Sequence, residues 1–211
     1  MASSRPWPAN RLVPFTYDPQ LGRQSLAQFA ALLQQPELRE RADVLPFFRG
    51  HPHLAAPLGK FNPNLIAPDL LAYELSLLGR YTVDLVIGHR ATGNFVLVEF
   101  EDGAADSIFH QSAGRTTPYW ATRFERGYSQ IIDWLNLVDN QQTTPEFLAI
   151  FDAASISVTT LLVIGRDHAL TSYDRQRLEW RRNRVVVNGT RVLCLTYDEL
   201  LRNLSGSALG S

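Results

Sequence analysis

Three carboxylates stand in two apolar stretches separated by a short polar turn. The first stretch is Tyr81-Thr-Val-Asp84-Leu-Val-Ile-Gly88. The second is Asn94-Phe-Val-Leu-Val-Glu99-Phe-Glu101-Asp102-Gly103, with Gly93-Asn94 at the turn. Runs this apolar belong in a core, where a carboxylate is costly unless it has a partner. Alternation along an extended strand puts Glu99 and Glu101 on one face. Pairing across the turn then brings Asp84 beside them. Converging carboxylates repel one another unless they share a proton or bind a cation. Asp84, Glu99 and Glu101 are therefore candidate metal ligands, and their hard oxygens suit Mg²⁺ or Mn²⁺. Such an ion stabilises charge on a phosphodiester and activates a water for in-line attack.

Other side chains compete for chemical roles. Gln130 lies on a predicted helix one turn before Trp134, where its amide could orient a water or meet a phosphate. The competing reading makes Gln130 a satisfied polar group and Trp134 a core aromatic. Asp102 could be a fourth ligand, though Asp102-Gly103 reads more simply as a strand-ending turn. His51 and His53 flank Pro52, but no Cys or acidic residue completes a zinc spacing around them. Cys194, the single cysteine, sits in an apolar run and reads as a buried structural thiol. Lys60 is the only lysine, so the inventory nearly excludes a catalytic lysine. Arg175, Arg177, Arg181 and Arg182 read as a solvated helix face. Should that face line the site, it would hold a phosphate backbone, with Arg115, Arg123 and Arg126 as rivals. Arg166, ending an apolar strand, suits an internal ion pair.

The elements that must position these groups follow from periodicity. Leu70–Leu78, Tyr81–Ile87 and Asn94–Glu101 read as a meander of strands. Val158–Ile164 is a continuous apolar run, the pattern of a strand covered on both faces. A further strand is expected over Arg191–Thr196. Ser25 is a candidate N-cap for a helix to Gln34, and a second helix is expected from Pro36 to Phe48. Phe124, Tyr128, Ile131, Leu135 and Val138 mark an amphipathic helix over Ala121–Val138. Shorter helices are expected over Glu146–Phe151 and Tyr173–Arg182, and Thr196-Tyr-Asp-Glu199 is a capping box for a last one to Leu204. Residues 103–121 read as a mobile loop, 1–20 as an irregular arm, 21–204 as one domain and 205–211 as a disordered tail. The fold class is α/β, a central mixed β-sheet flanked by helices with an N-terminal helical segment.

A net charge of −1 gives no global basic bias. No apolar run approaches the roughly 20 residues of a membrane span, so no membrane partner is expected. Residues 1–8 hold no hydrophobic signal core, which makes the cytoplasm the expected compartment.

The order Asp84, Glu99-Phe-Glu101 and then Gln130 on a following helix resembles the PD-(D/E)XK nuclease superfamily. Leu161-Leu-Val-Ile-Gly-Arg166, Asp174-Arg-Gln-Arg-Leu178 and Leu195-Thr-Tyr-Asp-Glu-Leu-Leu201 look like the nuclease domain of Shedu antiphage-defence proteins. Phe47-Phe-Arg-Gly-His-Pro-His53 and Gln130-Ile-Ile-Asp-Trp134 fit the same frame, and the likeness runs from about Ser25 to Leu204. The resemblance implies a restriction-endonuclease-like core, metal-dependent cleavage of DNA and assembly into a homo-oligomer. It places Asp84 and Glu99 on the metal and Gln130 as an assistant. Glu101 stands where the superfamily pattern has a lysine. A carboxylate there cannot neutralise a phosphate, but it can bind a second cation or act as a base. Two readings result: an active endonuclease, or a nuclease-fold module that binds DNA or a partner without cutting and assembles oligomers.

Overall fold

The computed structural model describes residues 10–153 and 155–208. Its sheet grows from the apolar runs read above. Val13–Pro14 (β1) pairs with Leu70–Leu77 (β2), which pairs with Tyr81–His89 (β3), which pairs with Asn94–Phe100 (β4), all antiparallel. The chain then forms a small separate hairpin, Phe109–His110 (β5) with Tyr119–Trp120 (β6). Ser157–Val163 (β7) adds to β4 in parallel, Val186–Val187 (β8) forms an edge, and Thr190–Leu195 (β9) lies parallel to β7. The resulting seven-stranded order is β1-β2-β3-β4-β7-β9-β8.

Helices cover both faces, so β4 and β7 at the centre are apolar on both sides, as parallel strands require. On one face pack Pro19–Leu32 (α1), Leu45–Gly50 (α2) and Pro52–Ala55 (α3), through Phe29, Phe48 and Leu54. On the other pack Thr122–Gln141 (α4), Pro145–Phe151 (α5) and Ser172–Arg184 (α6), through Phe124, Trp134, Phe147 and Leu178. Tyr197–Ala208 (α7) returns to the first face through Leu200. Its capping box is complete: Thr196 Oγ1 accepts from Glu199 N at 3.0 Å and Glu199 Oε2 accepts from Thr196 N at 2.9 Å. Among the described residues no helix is long and apolar enough to cross a membrane.

Several expectations are corrected. Helix α1 starts six residues before Ser25, because the Asp18 carboxylate accepts from Gln20 N and Leu21 N; Ser25 is interior and donates to Leu21 O. No continuous helix runs from Pro36 to Phe48. Gly103 N donates to Leu38 O and Glu40 N to Asp102 Oδ1, both at 2.8 Å. Those ties hold the segment straight until a π-helical turn, Glu40–Val44, leads into α2. Residues 103–121 are anchored by the β5–β6 hairpin. Within 1–20, β1 and the start of α1 are regular, and residues 1–9 lie outside the described ones. Helix α7 continues through Ser205 to Ala208, and 209–211 fall outside. Strand β8 had no sequence signal of its own.

Close packing at the sheet centre gives one test. Gly88 on β3 faces Phe95 on β4, and a Cβ there would sit 2.2 Å from the Phe95 ring. Gly88→Ala is expected to cost about 1–3 kcal/mol by overpacking. In a chain of this size that lowers Tm by about 2–4 °C per kcal/mol. Calorimetry giving an unchanged Tm would contradict the packing described.

Candidate functional site

Asp84 leaves the regular alternation of its strand. On β2, Leu71 and Tyr73 face one core while Leu75 and Leu77 face the other. On β3, Val83 faces the second core and Leu85 and Ile87 the first. The change of phase falls at Glu74, whose φ is +50°, and at Asp84 across from it. The β3–β4 ladder ends at Leu85 and Val98, where the strands part. Asp84 Oδ2 then accepts from Phe100 N at 2.8 Å, replacing the lost ladder partner. The carboxylate is thus fixed at a fork between strands.

The end of β4 is held from three sides. Glu101 N donates to Val163 O at 2.9 Å, and the buried Tyr197 hydroxyl donates to Glu101 O at 2.6 Å. Asp102 receives Glu40 N on one oxygen and Arg123 Nη2, at 3.1 Å, on the other. Gly127 of α4 lies over this point. A Cβ there would meet Leu162 Cδ1 at 2.9 Å and Glu101 Cγ at 3.2 Å, so only glycine lets the helix come this near. Arg123, Arg126, Gly127 and Gln130 recur at helical spacing and present one face of α4 to the carboxylates.

These elements enclose a cleft of about 980 Å³ lined by Asp84, Glu99, Glu101, Asp102, Gln130, Arg123 and Arg126, all read from the sequence. It also holds Glu40, Glu74, Arg39, Arg41, Arg49 and Arg80, which sequence reasoning missed. Nothing in Leu38-Arg-Glu-Arg-Ala42 marks Glu40; it reaches the cleft because Asp102 holds its amide. Gln130 Nε2 makes only a long contact, 3.4 Å, to Thr82 O. Trp134 is fully buried in the core. The remaining candidates lie off the cleft. Arg115 packs on Tyr119, Arg175 pairs with Asp167, and Arg177 stacks on Phe109 while donating to Pro118 O. Arg166 makes the expected internal ion pair, bidentate with Asp198 at 3.0 Å. His51 Nδ1 meets Phe47 O within its own turn, and His53 Nδ1 accepts from Asp18 N, 35 residues away.

Asp84, Glu99 and Glu101 are 9%, 6% and 6% exposed. Desolvation dominates their titration and favours the neutral acid. It pushes Asp84 up to about 7, against the lowering pull of the Phe100 N–H, with Glu40, Glu101 and Glu74 adding to the rise. Glu99 rises to about 10, through burial first and then the charges of Asp84, Glu101 and Glu40. Glu101 is also raised by burial, but Arg123 Nη1, 3.0 Å from its Oε2, counters the shift. Glu40 is raised by burial too.

Glu99 Oε2 is buried without a hydrogen-bond partner among the described residues. Such an oxygen beside a second buried carboxylate suits a hard divalent cation, and Mg²⁺ commonly takes one or two carboxylates and keeps its waters. Asp84 and Glu99 could supply that pair. Glu101 is committed to Arg123, and among the described residues no three His, Cys, Asp or Glu side chains converge to hold a metal as they stand.

Residues 37–201 match the family described as Shedu protein SduA, C-terminal. The chain belongs to that family. No curated protein sequence matches it. Membership in the Shedu family suggests antiphage defence. The matched span carries every residue that lines the cleft and leaves out α1.

The carboxylate pair makes stability depend on pH. In an unfolded chain Asp84 and Glu99 titrate near pH 4; folded, they hold protons to about 7 and about 10. Between these limits the folded chain binds more protons, so stability falls as pH rises from about 4 through 7 and toward 10. In a chelator-containing buffer Glu99→Gln is therefore expected to raise Tm at pH 8, by about 2–4 °C per kcal/mol relieved, and to flatten the pH slope. A Tm that drops at pH 8 would show that Glu99 carries no such penalty.

Proposed function

We propose that the chain is a metal-dependent DNA endonuclease acting in antiphage defence, with phosphodiester hydrolysis in the cleft at the β3–β4 fork. The observation that carries this reading is the buried, unpartnered Glu99 Oε2 beside Asp84, in a cleft rimmed by arginines. Asp84 and Glu99 would hold Mg²⁺ or Mn²⁺. When bound, the ion supplies positive charge against the scissile phosphate and acidifies a water. The other roles belong to side chains of the fold. The Phe100 amide holds the Asp84 carboxylate in place. Gln130, loosely tied, is available to orient a water or a phosphate oxygen. Glu101 does not stand as a bare acid where the superfamily has its lysine, because Arg123 brings a guanidinium to the same place. Arg126, one turn on, extends the positive face toward a DNA backbone. A cytoplasmic setting and self-association belong to the same proposal.

A second reading, a module that binds DNA or a partner without cutting, is favoured by one observation: among the described residues no three His, Cys, Asp or Glu side chains are arranged to hold a metal ion. One experiment separates the two. Plasmid and phage DNA are incubated with the protein in Mg²⁺ or Mn²⁺. The first reading predicts cleavage that falls at least about 100-fold in Glu99→Ala, the scale of losing one key electrostatic contact. Cleavage unchanged in Glu99→Ala would remove the assigned site, and binding without cleavage would select the second reading. Metal binding has its own readout. The wild-type Tm at pH 8 should climb with Mg²⁺ or Mn²⁺ concentration, as linkage requires, and the Glu99→Ala Tm should not.

A further inference from the structure

The carboxylate cleft does not end at Arg123 and Arg126. Beyond them opens a second cavity of about 750 Å³, which shares Glu101, Asp102, Arg123 and Arg126 with the first and runs under the β5–β6 hairpin. Its size falls within the ~300–1,000 Å³ of clefts that hold one small-molecule-sized group. The hairpin contributes a pair of rings to it. His110 and Tyr119 are directly opposed across the two strands, so their side chains share one face of the ribbon. Both are exposed and both line the cavity. The other face carries Phe109 and Trp120, 4.5 Å apart, with Trp120 stacked on Phe124 of α4.

This division of labour is informative. Phe109 and Trp120 suffice to anchor the hairpin, so Tyr119, 47% exposed, is not needed for packing. Arg115 sits 4.0 Å over its ring and bonds its hydroxyl, which braces the ring in place. A braced, exposed aromatic beside two exposed arginines is the combination that binds single-stranded nucleic acid: the ring stacks a base and the guanidiniums hold phosphates. Bases inside a duplex keep their faces covered and offer nothing for such a ring to stack on.

We propose that the cavity under the hairpin is a subsite for an unpaired DNA strand, in which Tyr119 and His110 form the stacking ledge and Arg123 and Arg126 hold the backbone running into the carboxylate cleft. The proposal rests on the endonuclease reading and narrows its substrate to DNA that is single-stranded beside the scissile bond.

The test is fluorescence anisotropy with the full chain in EDTA, using a labelled mixed-sequence single strand and the same sequence as a blunt duplex. Wild type is expected to bind the single strand more tightly. Tyr119→Ala is expected to weaken that binding about 5- to 150-fold, the loss of one stacked base, while Tyr119→Phe keeps it. His110→Glu, which puts a negative charge on the ledge, is expected to weaken the single strand more than the duplex. Circular dichroism and the metal-free Tm confirm that each variant is folded. Equal affinity for strand and duplex, no binding to either, or a Tyr119→Ala that binds like wild type would overturn the subsite. Cleavage without single-strand preference would sink this inference alone. Single-strand preference without cleavage in Mg²⁺ or Mn²⁺ would sink the endonuclease reading and leave the subsite standing.

Discussion

Where β3 and β4 part, a backbone amide loses its ladder partner inside the core, and a carboxylate takes it over. That bond, Phe100 N to Asp84 Oδ2, ties the sheet to the cleft. An orphaned buried amide costs as much as a lost hydrogen bond, so Asp84 cannot be removed without disturbing the fork. The same bond anchors a negative charge where burial disfavours it, and Glu99 and Glu101 then lie within range of that charge. The neighbourhood responds in several ways at once. Arg123 crosses from α4 to Glu101 and Asp102. Gly127 clears the room for that crossing. Tyr197, fully buried, holds the Glu101 carbonyl so that the strand end cannot swing away from the charges. Among the described residues, Glu99 Oε2 is left there without a hydrogen-bond partner.

That remainder sets an opposition between stability and function. Replacing buried charges by neutral groups of the same shape commonly stabilises a fold. A cleft that keeps Asp84, Glu99 and Glu101 together, with Glu40 drawn in by Asp102, holds a cost that packing alone would not retain. A bound cation would turn the cost into affinity, since relief of repulsion adds to the binding free energy. Arg123 pairs with Glu101 and Asp102 and also eases Glu40, while Glu99 has only the more distant pull of Arg126 against its burial. The division between a carboxylate paired with an arginine and two held mainly by burial is the electrostatic signature of the cleft.

Much of this was legible in the residues. The meander, the parallel strand β7, helix α4 and both the Thr196 capping box and the Arg166 ion pair follow from local pattern, because apolar periodicity and end-capping are local effects. The shared face of Glu99 and Glu101 follows from a period of two. Glu40 was not legible. Its segment has helical composition, and hydrogen bonds from residues more than sixty positions away straighten it. The hairpin at 109–120 was hidden for a related reason: each of its strands has two residues, too few for any period to show. Arg175 and Arg177 misled in the opposite direction. A cluster of arginines on one helix suggests a phosphate face, yet Asp167, Asp174 and the rings of Phe109 and Trp120 occupy these two.

The position of Glu101 brings these strands of argument together. Against the PD-(D/E)XK pattern that the sequence resembles, it is an acid at the lysine position, which reads as a loss. In the fold it is the fixed end of a bridge whose other end, Arg123, is 44% exposed and lies between two cavities. A lysine at 101 would put one flexible charge into the first cavity. The Glu101–Arg123 pair puts a planar, multiply hydrogen-bonding cation at the junction of both. An arginine so held has less rotamer freedom to lose on meeting a phosphate, and nearly half of its side chain stays exposed. The Glu101–Arg123 pair therefore sets positive charge on the helix that borders both cavities, where the backbone of the proposed DNA substrate would meet it.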